Sequence, residues 1–168
     1  TLDGVERKLD ATTTLVCEAL RAVGRKAGRI GTTGAFADGR PLHSELTTPE
    51  ADALQGLLAS MRVSGCEAVS MEASSIGLVQ RRLEGVAFDV AVFTQLGRDH
   101  LDFHGTEAAY VEAKSRLFTR HLRPSSGAPR AMVNVDDPAW PSLMPPADRW
   151  GFGFSPEADV RVLGVGGD

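Results

Sequence analysis

Hydrophobic positions along this chain recur with two periods, one suited to helices and one to buried strands. Leu15, Val16, Ala19, Leu20 and Val23 fall at helical spacing, so residues 12–26 are predicted as a helix that Gly24 or Gly28 can close. The short apolar stretch Arg29-Ile30-Gly31-Thr32-Thr33-Gly34 predicts a strand ending in a glycine turn, and residues 35–48 read as a polar connection. Thr48-Pro49-Glu50 predicts a helix start, with a hydroxyl at the N-cap, proline in the first turn and an early acid. Leu54, Leu57, Leu58 and Met61 then form its apolar face, and Gly65 ends it.

Residues 67–71 and 88–94 are predicted as buried strands, the second nearly uninterrupted, as strands covered on both faces tend to be. A short helix is predicted between them, over 76–83. Thr106-Glu107 opens a further helix with Tyr110, Ala113, Leu117 and Phe118 turned inward. Strands are also predicted over 130–135 and 149–154, and the Pro-Ser-Ser-Gly-Ala-Pro stretch at 124–129 reads as a loop. Strands alternating with helices predict an α/β fold, one domain built on a mostly parallel central sheet flanked by helices. Ligands bind such sheets beyond the carboxyl ends of the strands. Those ends carry Thr32-Thr33, residues 72–75, 95–100 and 134–137, so polar residues gather where a site is expected.

Composition narrows the class. The 168 residues are enough for one domain with a real core, and 42% hydrophobic against 24% charged residues is the balance of a folded globular chain. The net charge of -4 argues against a nucleic-acid partner, which needs a basic surface. No apolar run approaches the ~20 residues of a membrane span, and a cytoplasmic location is expected. Cys17 and Cys66 sit in apolar stretches and read as reduced, buried thiols.

Several polar residues invite functional and plain readings alike. Glu72, after a strand, can cap the next turn. His100 and His104 are four apart but lack the HExxH pattern of a zinc helix, and His104 reads as structural. Lys114 alone would be a solvated charge. Arg81-Arg82 can be an exposed pair at a helix end. Thr47-Thr48 doubles as capping, and Asp136-Asp137-Pro138 as a turn with a helix start.

Two ordered segments lift these residues above the plain reading. Met71-Glu72-Ala73-Ser74-Ser75 with Gln80 and Arg82 resembles the MEVSSH signature of the Mur ligases. The run from Phe93 to Gly105, continuing to Tyr110 and Ala113-Lys114, resembles their FTNLSRDHLDYHG…AAK signature. Leu46-Thr47-Thr48-Pro49 and Val133-Asn134-Val135-Asp136-Asp137-Pro138 are similar to the TTP and INADDP segments of the MurE branch. The resemblance implies the central, P-loop-NTPase-like domain of a ligase, spanning 1–168 and truncated at both ends. The N-terminal domain that grips the uridine nucleotide and the C-terminal domain for the incoming amino acid would lie in flanking sequence or on another chain.

The resemblance alone implies an ATP- and Mg2+-dependent, amide-bond-forming enzyme of peptidoglycan synthesis, working through an acyl phosphate. By the same resemblance, the substrate would be UDP-N-acetylmuramoyl-L-alanyl-D-glutamate, a UDP-N-acetylmuramoyl-dipeptide to which a third amino acid is added. It likewise implies that Glu72 and His100 are metal ligands or their supports, Lys114 a carbamylated metal ligand, and Thr12 a metal-binding hydroxyl at the nucleotide. Asn134 and Asp137 would meet the base and ribose, and Thr47, Thr48, Ser74, Gln80 and Arg82 would hold the muramoyl-peptide.

The chain departs from the pattern at the phosphate loop. Where the family has GTNGKT before the first helix, this chain aligns Arg7-Lys8-Leu9-Asp10-Ala11-Thr12. Both glycines are gone, Ala11 takes the lysine position and Asp10 brings a negative charge to the place of phosphate. Ile76 replaces the histidine of SSH and Gln95 the asparagine of TNL. The expected function is therefore a fragment or divergent ligase with little or no activity as this chain. The alternative is a pseudoenzyme that serves as a binding or regulatory module.

Overall fold

The computed structural model describes residues 4–97, 100–123 and 130–164, the first six of them by backbone alone. The chain divides into two compact units, Thr1–Glu84 and Gly85–Asp168. Helices and strands alternate in an α/β fold, as predicted, and four of the six strand pairings are parallel.

The first unit opens with helix α1 (Gly4–Ala22), followed by strands β1 (Ala27–Gly31), β2 (Gly34–Ala37) and β3 (Arg40–Leu42). Helix α2 (Ala51–Val63), strand β4 (Ala68–Met71) and helix α3 (Ser75–Val79) complete it. The sheet order is β3-β2-β1-β4, with β1 antiparallel to β2 and parallel to β4. Ile30, Leu54 and Met61 are fully buried in this unit. The antiparallel hairpin corrects the polar connection expected over 35–48. Asp38 and Gly39 both take positive φ, 48° and 83°, the backbone of a tight two-residue turn joining short strands.

Helix α1 also departs from expectation. It begins at Gly4 rather than near residue 12, and its apolar positions do not form the packed face, since Leu15 is 70% and Val23 73% exposed. Among its described side chains the buried ones are Thr13 and Cys17, one turn apart. Small side chains let the helix lie close on β1 and β4. The Thr13 hydroxyl donates to the Asp10 carbonyl at 3.0 Å and the Cys17 thiol to the Ala27 carbonyl at 3.5 Å, so neither polar group is buried unpaired. Both cysteines are free thiols, Cys17 buried and Cys66 half-buried, and burial pushes the pKa of each up.

Helix α2 ends as predicted at Gly65, whose φ of 84° suits glycine, but its start differs. Glu50 is the N-cap residue, without a side-chain cap. Thr48 is instead buried to 1% exposure, where its hydroxyl donates to the Glu72 carbonyl at 2.9 Å and accepts from the Ser74 N–H at 2.9 Å.

The second unit contains strand β5 (Val90–Phe93), helices α4 (Leu101–His104) and α5 (Glu107–Arg116), and a π-helical turn over Leu117–His121. Strand β6 (Arg130–Asn134), a 3-10 turn over Trp140–Leu143, and strands β7 (Trp150–Gly153) and β8 (Val160–Arg161) come after it. The sheet is parallel throughout, in the order β5-β6-β7-β8. Ala91, Phe93, Phe118, Leu122, Ala131, Val133 and Leu143 form its core. Strand β5 is not covered evenly on both faces: Ala91 and Phe93 are buried while Val90 is 46% exposed. Helix α5 opens as predicted, the Thr106 hydroxyl accepting from the Ala109 N–H, and Tyr110, Ala113 and Phe118 are buried. Leu117 packs partly buried on the same core. The predicted loop at 124–129 lies outside the described residues, as do Arg98 and Asp99 of the second signature. Among the described residues no helix is long and apolar enough to cross a membrane.

The two hydrogen bonds of Thr48 give its hydroxyl a measurable weight. Thr48→Val keeps the shape but leaves the Ser74 N–H without its acceptor, and should cost about 1–3 kcal/mol in urea unfolding. A loss below about 0.5 kcal/mol, under the worth of one ordinary hydrogen bond, would show that the strand exit holds without the hydroxyl.

Candidate functional site

Strands β1 and β4 run parallel in a register that pairs Ile30 with Met71, so their carboxyl ends arrive side by side. The Glu72 N–H extends the ladder by donating to the Ile30 carbonyl at 3.0 Å. Its side chain then turns back. The Thr32 N–H donates to Glu72 Oε1 at 3.0 Å and the Thr32 hydroxyl to Oε2 at 3.2 Å. Thr32 Oγ1 and Thr47 Oγ1 lie 3.1 Å apart in a further hydroxyl–hydroxyl bond. Glu72 is 4% exposed, so these bonds fix a buried carboxylate at the strand exit. Its side chain thus binds the neighbouring turn.

Gly31 makes room for this arrangement. A Cβ there would collide with Glu72 Oε1 and come 3.1 Å from Asp10 Oδ1, so two carboxylates flank a position that any larger residue would crowd. Asp10 belongs to α1 and binds Arg29, Nη1 donating to its Oδ1 at 2.8 Å.

Ser74 caps α3, its hydroxyl accepting from the Gly77 N–H at 3.0 Å. Arg82 is not an exposed cation: its side chain is 14% exposed, Nη1 donates to the Thr48 carbonyl at 3.0 Å and Nη2 pairs with Glu50 at 2.9 Å. Arg81, by contrast, is exposed and pairs with Glu84. Gln80 is exposed and closes α3 through its backbone N–H. Beside Thr47 and Thr48 opens a cleft of about 570 Å³ whose lining includes Leu46, Pro49, Glu50 and Leu57. The first unit thus brings together Thr47, Thr48, Glu72, Ser74 and Arg82. Thr12 lies in α1, half-buried in the middle of the helix. The backbone over residues 7–12 is helical, not a loop.

In the second unit, His100 takes a left-handed backbone (φ 61°) and is the N-cap residue of α4. Its carbonyl accepts from the N–H groups of Phe103 and His104. The His104 ring packs edge-on to Phe103 at 5.0 Å and tilted against Tyr110 at 5.2 Å, in keeping with a structural histidine. Lys114 is half-buried, its Nζ standing 4.9 Å over the Tyr110 ring. Desolvation pushes the His104 pKa below its ordinary value, helped by the charges of His100 and Lys114. His100 and Lys114 thus both act electrostatically on His104.

Asn134 and Asp137 tie the ends of β5 and β6 together. The Asn134 amide donates to the Thr94 carbonyl at 2.8 Å and its Oδ1 accepts from the Asp136 N–H at 3.0 Å. Asp137 accepts from the Leu96 N–H at 2.6 Å and the Ala139 N–H at 2.9 Å. Asp136 accepts from the N–H groups of Phe154 and Ser155 at 2.7 and 2.9 Å, clamping the exit of β7, a role that no local signal in the sequence marks. The turn expected at 136–138 is thus what these side chains build.

The strand exits of this α/β chain thus gather a buried carboxylate, hydroxyls and a guanidinium at one sheet edge. The chain belongs to the Mur ligase middle-domain family, whose sequence model matches residues 11–164. Its relatives include the UDP-N-acetylmuramoyl-L-alanyl-D-glutamate--2,6-diaminopimelate ligase of Xanthomonas oryzae pv. oryzae, 45% identical over 76% of this chain and 25% of the relative. The ligases of the same name from Agrobacterium fabrum and Pseudomonas syringae pv. tomato are 45% and 48% identical, covering 85% and 64% of this chain and 27% and 22% of their own lengths. A solved structure of a ligase of that name superposes with a TM-score of 0.73 at 34% identity, over 88% of this chain and 30% of the other. The chain spans about a quarter of the length of the curated relatives it matches.

The lowered pKa of His104 fixes the sign of a pH effect. With the folded value below the unfolded one near 6.5, the unfolded chain takes up the proton first. Stability is full above about pH 6.5 and falls as the pH drops through the folded pKa. His104→Gln should flatten that decline in urea titrations run from about pH 7 downward, and an NMR midpoint for His104 above about 6.5 would contradict it.

Proposed function

We propose that this chain is the central domain of a MurE-type ligase and that its first unit holds the peptide end of UDP-N-acetylmuramoyl-L-alanyl-D-glutamate. The observation that carries the reading is the pre-ordered exit of β1 and β4, where Thr48, Glu72, Ser74 and Arg82 are joined through Thr48, and Thr47 joins Glu72 through Thr32. Arg82 supplies a planar donor fork suited to a carboxylate, and its Glu50 partner stands at 59% exposure, a surface ion pair that an incoming carboxylate can replace. Thr47 and Ser74 add hydroxyls, and the cleft beside Pro49 gives the peptide a place to lie. Gln80, exposed at the end of α3, is accessible to substrate from solvent.

In the whole enzyme this domain would work in the cytoplasm beside a uridine-binding domain and an amino-acid-binding domain, with 2,6-diaminopimelate the amino acid named by the relatives. Activation of the carboxylate is the task of ATP and magnesium in that enzyme. For magnesium, the resemblance names Glu72 in the first unit, whose carboxylate oxygens are hard donors, and, in the second unit, His100 and a carbamylated Lys114, each as a candidate ligand or support. The nucleotide phosphates do not fit this chain. Residues 7–12 are helical, Ala11 cannot reach a phosphate, and the Asp10 carboxylate stands where negative charge would have to enter. Thr12, Asn134 and Asp137 are the nucleotide positions that the resemblance implies, and on this reading the isolated chain does not carry out the phosphorylation step.

Calorimetric titration of the purified chain tests both halves of this reading. UDP-N-acetylmuramoyl-dipeptide should bind saturably, and Arg82→Met should weaken it by about tenfold or more, the worth of one charge-assisted contact. Mg-ATP should give no saturable heat. Absence of dipeptide binding, or indifference to Arg82→Met, would remove the substrate assignment. Saturable Mg-ATP binding would restore the ligase step to this chain.

A further inference from the structure

Arg29 stands on β1 with its side chain 14% exposed, and its Nη1 is surrounded by oxygen acceptors. It donates to Asp10 Oδ1 at 2.8 Å, to the Thr14 hydroxyl at 2.9 Å and to the Thr33 hydroxyl at 2.8 Å. The Thr33 hydroxyl donates in turn to the same Asp10 oxygen at 3.0 Å. The guanidinium is braced from the side by the Phe36 ring, 4.6 Å from its centroid. One carboxylate oxygen is thus held by a guanidinium N–H and a hydroxyl, the donor set that also binds phosphoryl and sulfate oxygens.

The donors do not depend on Asp10 for their placement. Arg29 is fixed by β1, by the Phe36 ring and by the Thr14 hydroxyl that accepts from it, and Thr33 by the turn between β1 and β2. Asp10 enters this cradle as an occupant, carried in by α1 and itself only 16% exposed. We propose that Arg29 and Thr33 form an anion site for a small tetrahedral oxyanion, and that the Asp10 carboxylate keeps it filled as a tethered ligand. A tethered carboxylate competes at high effective concentration, so free anions are excluded while it is in place. Among the described residues Asp10 is the one carboxylate paired with Arg29, so its removal leaves a largely buried cation short of counter-charge, which favours uptake of an anion from solution. The site stands independently of the muramoyl-peptide reading, since none of its donors belongs to that group.

The test uses the full chain, unaltered and as Asp10→Ala and Asp10→Asn, titrated with inorganic phosphate against sodium chloride at matched ionic strength. Calorimetry should find phosphate binding at least about tenfold tighter in Asp10→Ala than in the parent. The melting temperature should rise saturably with phosphate in the variant alone. Adding Arg29→Met to Asp10→Ala should abolish both effects. A parallel titration with ATP separates the sources of the anion: tighter binding than phosphate assigns the opened site to a nucleotide and overturns the small-anion assignment, and weaker binding supports the free oxyanion. A folded variant with no gain over the parent, or a gain that survives Arg29→Met, overturns the proposal. So does loss of folding in both Asp10 variants that phosphate fails to restore, because a free oxyanion would refill the cradle.

Discussion

The parallel register of β1 and β4 is the constraint on which the first unit depends. Parallel strands deliver their carboxyl ends to the same edge, and the pairing of Ile30 with Met71 brings Thr32 beside Glu72. A slip of one residue would turn Glu72 to the other face of the sheet. Because the register holds, the Thr32 N–H finds a carboxylate oxygen where the backbone ladder stops. The hydrogen-bonding pattern of the sheet passes into side chains, and the Thr32 donor is met.

Thr48 extends that continuity to the start of α2. Its hydroxyl joins the Glu72 carbonyl to the Ser74 N–H, while the Thr48 carbonyl receives Arg82. One buried residue thus ties the strand exit at Glu72 and Ser74 to the Arg82 guanidinium. Inside a folded unit such bonds gain strength from the low local dielectric, and each unmet member would cost more than one pair contributes. The group is consequently rigid before any ligand arrives, as a binding site requires if ordering its side chains is not to consume the affinity.

The parts of this fold legible in the sequence are those whose signals are local. Gly65 and the Thr106 cap are readable because a helix end needs few residues to specify it. The β2–β3 hairpin is harder to see, although Asp38-Gly39 is a recognised two-residue turn signal, because its strands are too short for alternation to stand out. The face of α1 escapes periodicity for a different reason. Apolar spacing marks Leu15 and Val23, yet close approach to the sheet selects the smaller Thr13 and Cys17. The roles of Arg82 and Asp136 depend on partners distant in sequence, so periodicity carries no trace of them. Motif resemblance places Arg82 at a site, and only the structure explains how its charge is held.

The same physics accounts for the segment at the front of α1. A phosphate loop needs glycines because its backbone must leave helical geometry to aim several N–H groups at one anion. Here Glu6 to Ala11 contains none, and its residues are good or tolerable helix formers, so the helix extends back to Gly4. Extension points those N–H groups along the helix axis, where an outside phosphate cannot gather them. It also carries Asp10 to Arg29, giving the partly buried guanidinium the counter-charge it needs. Loss of the glycines and arrival of an acid thus act in one direction. The backbone gives up its anion-binding amides, and the side chain meets the remaining cation from within the chain.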